Sequence, residues 1–528
     1  MVYIKSAYFK RIGARSLTFA IVGVAMILLA SCAVGPDYVK PVTEVPVAYK
    51  EMEGWKAAQP KDEATRGVWW EIFNDPELNN LEEQVMISNQ NVAAAEAQFR
   101  QARAQVQIAR SGYYPTVTAG SSFTRSLKSA EAPGATTTTT SSSNSSQKPV
   151  TGTTTPSPTS DFVLPIGASW EIDLWGRVRR TVEASTASAQ ASAGDLEGVR
   201  LLVHAELAQD YFSLRAVDAQ KQLLDATVTA YQKALDLTKN RYAGGVASQA
   251  DVLQAEAQLK TTQAQMIDLG VLRAQLEHAI ALLCGKPASV FSIPVVLLTR
   301  LPPPIPVGLP SELLERRPDI AAAERRMAAA NAQIGVVVAA YYPTITLSGL
   351  IGSEASNLGN WLSWPSRLWS VGSALSEVVF EGGLRKAQTE QARAAYDATV
   401  ASYRETVLTG FQEVEDNLAT LRILEEEAQV QDEAVKAAQR SETVTTNQYK
   451  AGTVSYLNVV VAQTIALSNE RTAVDILGRR MTASVLLVKA LGGGWDSSAL
   501  SSASDLNDKG DTRVQFTETK ATPTRSDP

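Results

Sequence analysis

The residues best suited to chemistry are few: two cysteines, Cys32 and Cys284, and two histidines, His204 and His278. They stand in unrelated contexts, so neither a disulfide framework nor a Cys/His metal site can be built from them. With no phosphate loop and no nucleophile elbow in the chain, the expectation is a protein that is not an enzyme and has no cofactor or metal. Cys32 alone has a defined chemistry. The first 31 residues have a basic start, the apolar run "LTFAIVGVAMILLA" and no acid, which is the build of a secretory signal. That signal ends in "LLASC", and small residues just before a cysteine are the pattern at which bacterial lipoproteins are cleaved and the cysteine lipidated. Ala33 rather than aspartate follows, which by analogy with known lipoproteins favours sorting to the outer membrane. One lipid anchor holds a chain weakly, so a second attachment is expected. The formal charge is −6, and loss of Lys5, Lys10, Arg11 and Arg15 with the leader takes it to −10. No basic patch suggests nucleic acid.

The elements come in duplicate. "NVAAAEAQFRQARAQVQIARSGYYPT" from Asn91 lies over "DIAAAERRMAAANAQIGVVVAAYYPT" from Asp319, a shift of 228, and "NRYAGGVASQADV" from Asn240 lies over "NQYKAGTVSYLNV" from Asn447, a shift of 207. The difference of 21 residues falls in the Ser/Thr tract 129–160, which has little to bury and is expected to be a mobile surface loop. The rest is one structural unit made twice.

Each copy contains a strand pair. In "DFVLPIGASWEIDL" the even positions from Phe162 to Leu174 are apolar, and the odd ones include Asp161, Ser169, Glu171 and Asp173. The stretch 343–352 alternates similarly, while "TVTAGSSF" and "SRLWSVGSALSEVVF" are weaker strands. Such strands suit either hairpins on a soluble core or a membrane barrel with a wet lumen. Four strands cannot close a spanning barrel, which needs about eight, so a barrel would have to be shared among copies.

Glycine breaks at "LWGRVRR" and "FEGGLRK" precede helical stretches of about forty residues, or about 60 Å. Val400, Tyr403, Val407, Phe411, Val414 and Leu418 step by three and four, which is coiled-coil spacing. Each helix is expected to turn back near "RAVDAQ" or "RILEEE", placing two helical hairpins beyond two β-hairpins.

With the lipid cysteine, the duplicated units and no catalytic set, the chain resembles the outer-membrane factor family, the TolC-like channels of tripartite efflux pumps. The resemblance rests on "CAVGPDYVKP", "WWEIFNDPELNNL", "WEIDLWGRVRR", "ERRPDIAAAERR" and "LVKALGGGW". It is strongest with the lipoprotein branch serving resistance-nodulation-division pumps. What it implies is an α+β membrane protein: a homotrimer sharing a 12-stranded outer-membrane β-barrel, four strands per protomer, continued by a periplasmic α-helical coiled-coil barrel. The partners implied are outer-membrane lipid, a periplasmic adaptor protein and an inner-membrane transporter, and the function a passive exit duct for drugs or other small toxic compounds. A type I secretion outlet and a pore-free coiled-coil lipoprotein are the alternatives. The implied division is a signal peptide (1–31), an anchor and equatorial segment (32–75), repeat 1 (76–290), a Pro-rich linker (291–314), repeat 2 (315–495) and a disordered tail (496–528). A mixed belt around the helices is expected from the N-terminal segment, the linker and 491–495.

Under this resemblance "YYPT" marks where a periplasmic helix becomes a membrane strand. Pro115 and Pro343 push Tyr114 and Tyr342 toward extended backbone, and the tyrosines suit either an aromatic girdle or packing on neighbouring helices. The family also implies a closed periplasmic tip with an acidic ring on the helix after the second turn. Asp432 and Glu433 stand nearest that position, with Ala428 one turn earlier in place of a bulkier residue. Symmetry copies would crowd these carboxylates into a divalent-cation site, or the acids simply solvate a helix face. Arg215, Asp218 and Arg422 are further candidates for latching at the hairpin tips or for adaptor contact.

Overall fold

The computed structural model describes residues 33–41, 45–51, 68–127, 129, 158–296, 298, 301–305 and 310–500. Cys32, nearly all of the Ser/Thr tract and residues 501–528 lie outside it. After one 3-10 turn at Trp69–Phe73 the chain forms α1 (Pro76–Ser88), α2 (Gln90–Ser111), β1 (Thr116–Ala119), β2 (Ser122–Ser126) and β3 (Thr159–Glu171). The helices α3 (Arg177–Ala243), α4 (Gln249–Leu283), α5 (Pro310–Arg316) and α6 (Pro318–Ala339) follow. Strands β4 (Thr344–Ala355) and β5 (Arg367–Ser376) then lead to α7 (Leu384–Lys450) and α8 (Tyr456–Ala490). Helix lengths of 22, 67 and 35 residues occur in that order in each half. The chain divides into two compact units, one with the strands (up to Val39, Gln105–Ser185, Ala328–Asp397) and one with most of the helical residues.

In the first unit the five strands occupy four rows, β1 and β2 sharing the first, in the order β1/β2, β3, β4, β5. All neighbours are antiparallel. The first row is broken where Gly120 faces Pro165. Gly120 N–H donates to the Pro165 carbonyl at 3.1 Å, but proline has no N–H to return, so the ladder lapses there. Strand β3 begins at Thr159, inside the stretch expected to be loop. Asp173 caps α3, accepting from the Val178 and Arg179 backbones at 2.9 Å each.

In the second unit the expected helix turns are corrected. Neither "RAVDAQ" nor "RILEEE" turns; α3 and α7 run through them to Ala243 and Lys450, so each helix has 67 residues, about 100 Å, rather than forty. Those stretches hold strong helix formers and no glycine or proline, so nothing ends the helix. The turns fall in the second repeated phrase, where Gly245 (φ +72°) and Gly452 (φ +79°) adopt left-handed backbone. Ser248 then starts α4 with a capping box to Asp251. Beside these turns Tyr231, Leu235, Ala255, Leu259, Tyr449, Tyr456 and Val459 bury one another, tying the two helical hairpins together.

Candidate functional site

The β-ladder register sorts the sheet into two chemically distinct faces. Phe123, Phe162, Leu164, Ile166, Leu347, Ile351, Trp369, Val371 and Leu375 fall on one face. Ser169, Thr116, Thr118, Ser348, Thr346, Glu354 and Ser370 fall on the other. The apolar face is not a core: Ile351 is 62% exposed, Trp369 77% and Val371 80%. A sheet that leaves a mostly apolar face open and has a mostly polar face opposite suits lipid outside and water inside. No described helix is long and apolar enough to cross a membrane. Its outer rows, β1/β2 and β5, have no further strand partner among the described residues.

Aromatic residues stand where helices meet strands. Helix α2 ends at Ser111 and β1 starts at Thr116; α6 ends at Ala339 and β4 starts at Thr344, so Tyr114–Pro115 and Tyr342–Pro343 occupy the joints. Tyr342 stacks on Trp175 with ring centroids 4.8 Å apart, and Trp175 Nε1 donates to the Pro343 carbonyl at 2.8 Å. Tyr113, Tyr114 and Tyr341 are exposed.

Arg215 and Asp218 are not tip residues, which corrects their expected position: both are buried in mid-α3. Asp218 accepts from Arg273 Nε of α4 at 2.8 Å and from Arg215 Nη1 at 3.3 Å. Arg215 Nη1 also reaches the Pro294 carbonyl at 2.6 Å, Arg273 Nη2 the Ile293 carbonyl at 2.8 Å, and Glu277 accepts from Ile293 N at 2.7 Å. Arg215 Nε and Nη2 have no hydrogen-bond acceptor, and its guanidinium instead lies 4.6 Å from the Tyr211 ring centroid. The network clamps the start of the Pro-rich linker to two helices. Arg422, also expected at a tip, is mid-helix and pairs with Glu51 at 2.7 Å, while Glu415 accepts from Lys50 N and Glu51 N. Arg317 ties Asp319 and Glu413 to the Ala490 carbonyl before the "LGGGW" turn. Sequence reasoning missed Arg273, Glu277 and Arg317; Arg273 and Arg317 have partners distant in the chain, Asp218 for the first and Glu413 and Ala490 for the second.

Asp432, Glu433 and Ala428 lie on α7 before the second turn, not after it as expected. Asp432 and Glu433 are exposed, and Asp432 forms an i,i+4 ion pair with Lys436. No group of three or more metal-ligating side chains occurs among the described residues.

Two titrating sites lie in the buried helical packing. Glu82 Oε2 stands 2.6 Å from His204 Nδ1, and Trp70 stacks on the imidazole with centroids 4.5 Å apart. Burial holds the Glu82 carboxyl well above its usual range and lowers His204 to about 4, so burial favours the uncharged form of each partner. Burial, with repulsion from Glu206, also raises the Asp210 carboxyl from 3.8 to about 6. Because the folded-state pKa is the higher one, the folded chain binds the extra proton; stability is withheld above pH 6 and returns as the pH falls toward 4. Asp210→Asn is therefore expected to raise stability at pH 7.5 by about 2 kcal/mol, a gain that fades by about pH 4. Thermal midpoints of both proteins across that range check this; a gap independent of pH contradicts it.

A sheet with one exposed apolar face and one polar face, continuous in sequence with paired long helices, is the build of a membrane-spanning β-barrel channel. The Outer membrane efflux protein family matches residues 81–286 and 309–493. The probable efflux pump outer membrane protein TtgC of Pseudomonas putida is 30% identical over 476 residues, covering 89% of this chain and 94% of the relative. The pyoverdine export outer membrane protein OpmQ of Pseudomonas aeruginosa is 29% identical over 479 residues, covering 90% and 96%. Among solved structures, the outer-membrane channel OprN aligns with a TM-score of 0.80 at 29% identity, over 88% of this chain and 100% of that one. The chain belongs to the outer membrane efflux protein family. It is an outer-membrane efflux duct whose helices extend into the periplasm, and the members of its family are channels.

Proposed function

We propose that three copies close a single twelve-stranded barrel, edge β5 of each meeting edge β1/β2 of the next, and that the duct passively passes small toxic compounds received from a periplasmic adaptor and a resistance-nodulation-division transporter. The carrying observation is the four-row sheet with two unpaired edges, one face apolar and exposed and the other polar. Unpaired edges in hydrocarbon leave backbone N–H and C=O groups without partners, so closure requires more strands than one chain has. A pore-free coiled-coil lipoprotein gives no reason for such a sheet. A type I secretion outlet shares the barrel, and the relatives' names, efflux pump and export components, favour small cargo. Lipid on Cys32, outside the described residues, supplies a second anchor; the mass of the mature N-terminus checks it.

Asp432 and Glu433 are proposed as the acidic ring of the resting gate. Planar-bilayer recording on the purified protein, with its native mass, tests both readings. Ion conductance from a particle of three chains is expected. Asp432→Ala/Glu433→Ala is expected to raise resting conductance and weaken block by millimolar divalent cation from the periplasmic side. A particle that does not conduct contradicts the duct. Conductance and cation block unaltered in the variant contradict the gate alone.

A further inference from the structure

The apolar face of the sheet carries two charged side chains among the described residues, and both are arginines. Arg125 on β2 pairs with Ser160, and Arg367 at the start of β5 pairs with Ser353, which places both on the face of Phe162 and Ile351. The sheet's three carboxylates, Asp161, Glu171 and Glu354, all fall on the opposite face. Neither arginine forms an ion pair among the described residues. Both lie toward the strand ends joined by the hairpin connections, remote from the helix joints and hence on the cell-exterior side.

The Arg367 site is constructed rather than incidental. Its guanidinium lies 3.5 Å from the Trp364 ring centroid. The connecting loop is held by internal bonds: Asn360 N donates to Asn357 Oδ1 at 3.0 Å, and Ser366 Oγ donates to the Asn360 carbonyl at 2.6 Å. Leu358, Leu362 and Trp364 are exposed on it. An arginine facing hydrocarbon is costly at depth and tolerable at the rim, where tryptophan also prefers to lie. Stacking on indole fixes the guanidinium plane and leaves its edge N–H donors for a bidentate oxyanion. A ligand suited to this face needs phosphate at the level of Arg367 and acyl chains below it, against Trp369 and Val371.

We propose that Arg367 on its Trp364 platform binds a phosphate of an acylated, phosphorylated glycolipid in the outer leaflet, and that Arg125, three strand rows away on the same face, is a separate basic contact for such a lipid. The inference rests on the barrel reading above and adds a lipid site to it. Full-length protein in detergent is titrated with bis-phosphorylated lipid A and with its dephosphorylated form, and bound lipid is read by native mass spectrometry. Wild type is expected to prefer the phosphorylated lipid. Arg367→Ala is expected to reduce that preference about five-fold, Arg367→Lys less, and Arg125→Ala/Arg367→Ala to abolish it. Assembly mass and conductance stay at wild-type values in these variants, which separates lost binding from lost fold. Equal retention of both lipids by wild type, or an undiminished preference in the double variant, overturns the proposal. Inorganic phosphate in excess is expected not to displace the lipid, because the acyl chains contribute to binding; displacement overturns the lipid as ligand in favour of a free anion. A wild type that assembles and conducts yet shows no preference refutes the lipid site and leaves the barrel standing.

Discussion

Arginine in place of Ile351 is expected to keep the protein out of the outer membrane, whereas arginine one residue earlier, in place of Leu350, is expected to leave it inserted. Ile351 lies within β4, paired with Ile166 on one side and Trp369 on the other, and is 62% exposed on the apolar face. A cation there costs about 2–4 kcal/mol in mid-bilayer, and the proposed barrel of three copies would multiply the cost to roughly 6–12 kcal/mol. Leu350 points the other way, paired with Gly167 and Ser370 on the polar face, where an arginine meets water. There it should change conductance and ion preference without preventing insertion. The two substitutions differ by one position and by no chemistry, so membrane fractionation and single-channel recording of both decide which face meets lipid. Insertion of Ile351→Arg together with loss of Leu350→Arg would reverse the faces.

The second large effect is expected at Asp218. Its side chain is fully buried and holds two arginines, which in turn hold the carbonyls of Ile293 and Pro294. Asp218→Ala leaves Arg215 with no carboxylate and Arg273 with Glu277 alone, in a site where Arg215 already has two N–H groups unmatched. Breaking a buried pair this way costs about 3–5 kcal/mol. The linker should come loose from α3 and α4, and the assembly should lose several degrees of thermal midpoint in mild detergent. Arg215→Met/Asp218→Leu/Arg273→Met/Glu277→Gln, which removes every charge of the network and keeps an acceptor for Ile293 N, should recover part of the loss, because burying uncharged side chains avoids the unpaired charges. A midpoint for Asp218→Ala equal to wild type would mean the network contributes nothing.

Much of this architecture was legible along the chain. The alternation through Phe162, Leu164 and Ile166 has period two, and side-chain direction in a strand depends on nothing but that period. The 228 and 207 shifts announced the duplicated order of elements in the same local way. The helix turns are also written locally, in Gly245, Gly452 and the Ser248–Asp251 capping box, inside the phrases whose repetition marks the duplication. Arg215, Asp218 and Arg422, expected at the hairpin tips or in adaptor contact, stand mid-helix.

Their actual roles were out of reach of any local pattern. Asp218 and Arg273 are 55 residues apart and Arg422 and Glu51 371 apart, and such pairs exist only once helices have packed. The sequence by itself determined which faces are apolar, where the chain must be extended or helical, and that four strands cannot close alone, because each depends on neighbours within a few residues. Tertiary structure alone decided which charges are buried together and which backbone carbonyls they hold.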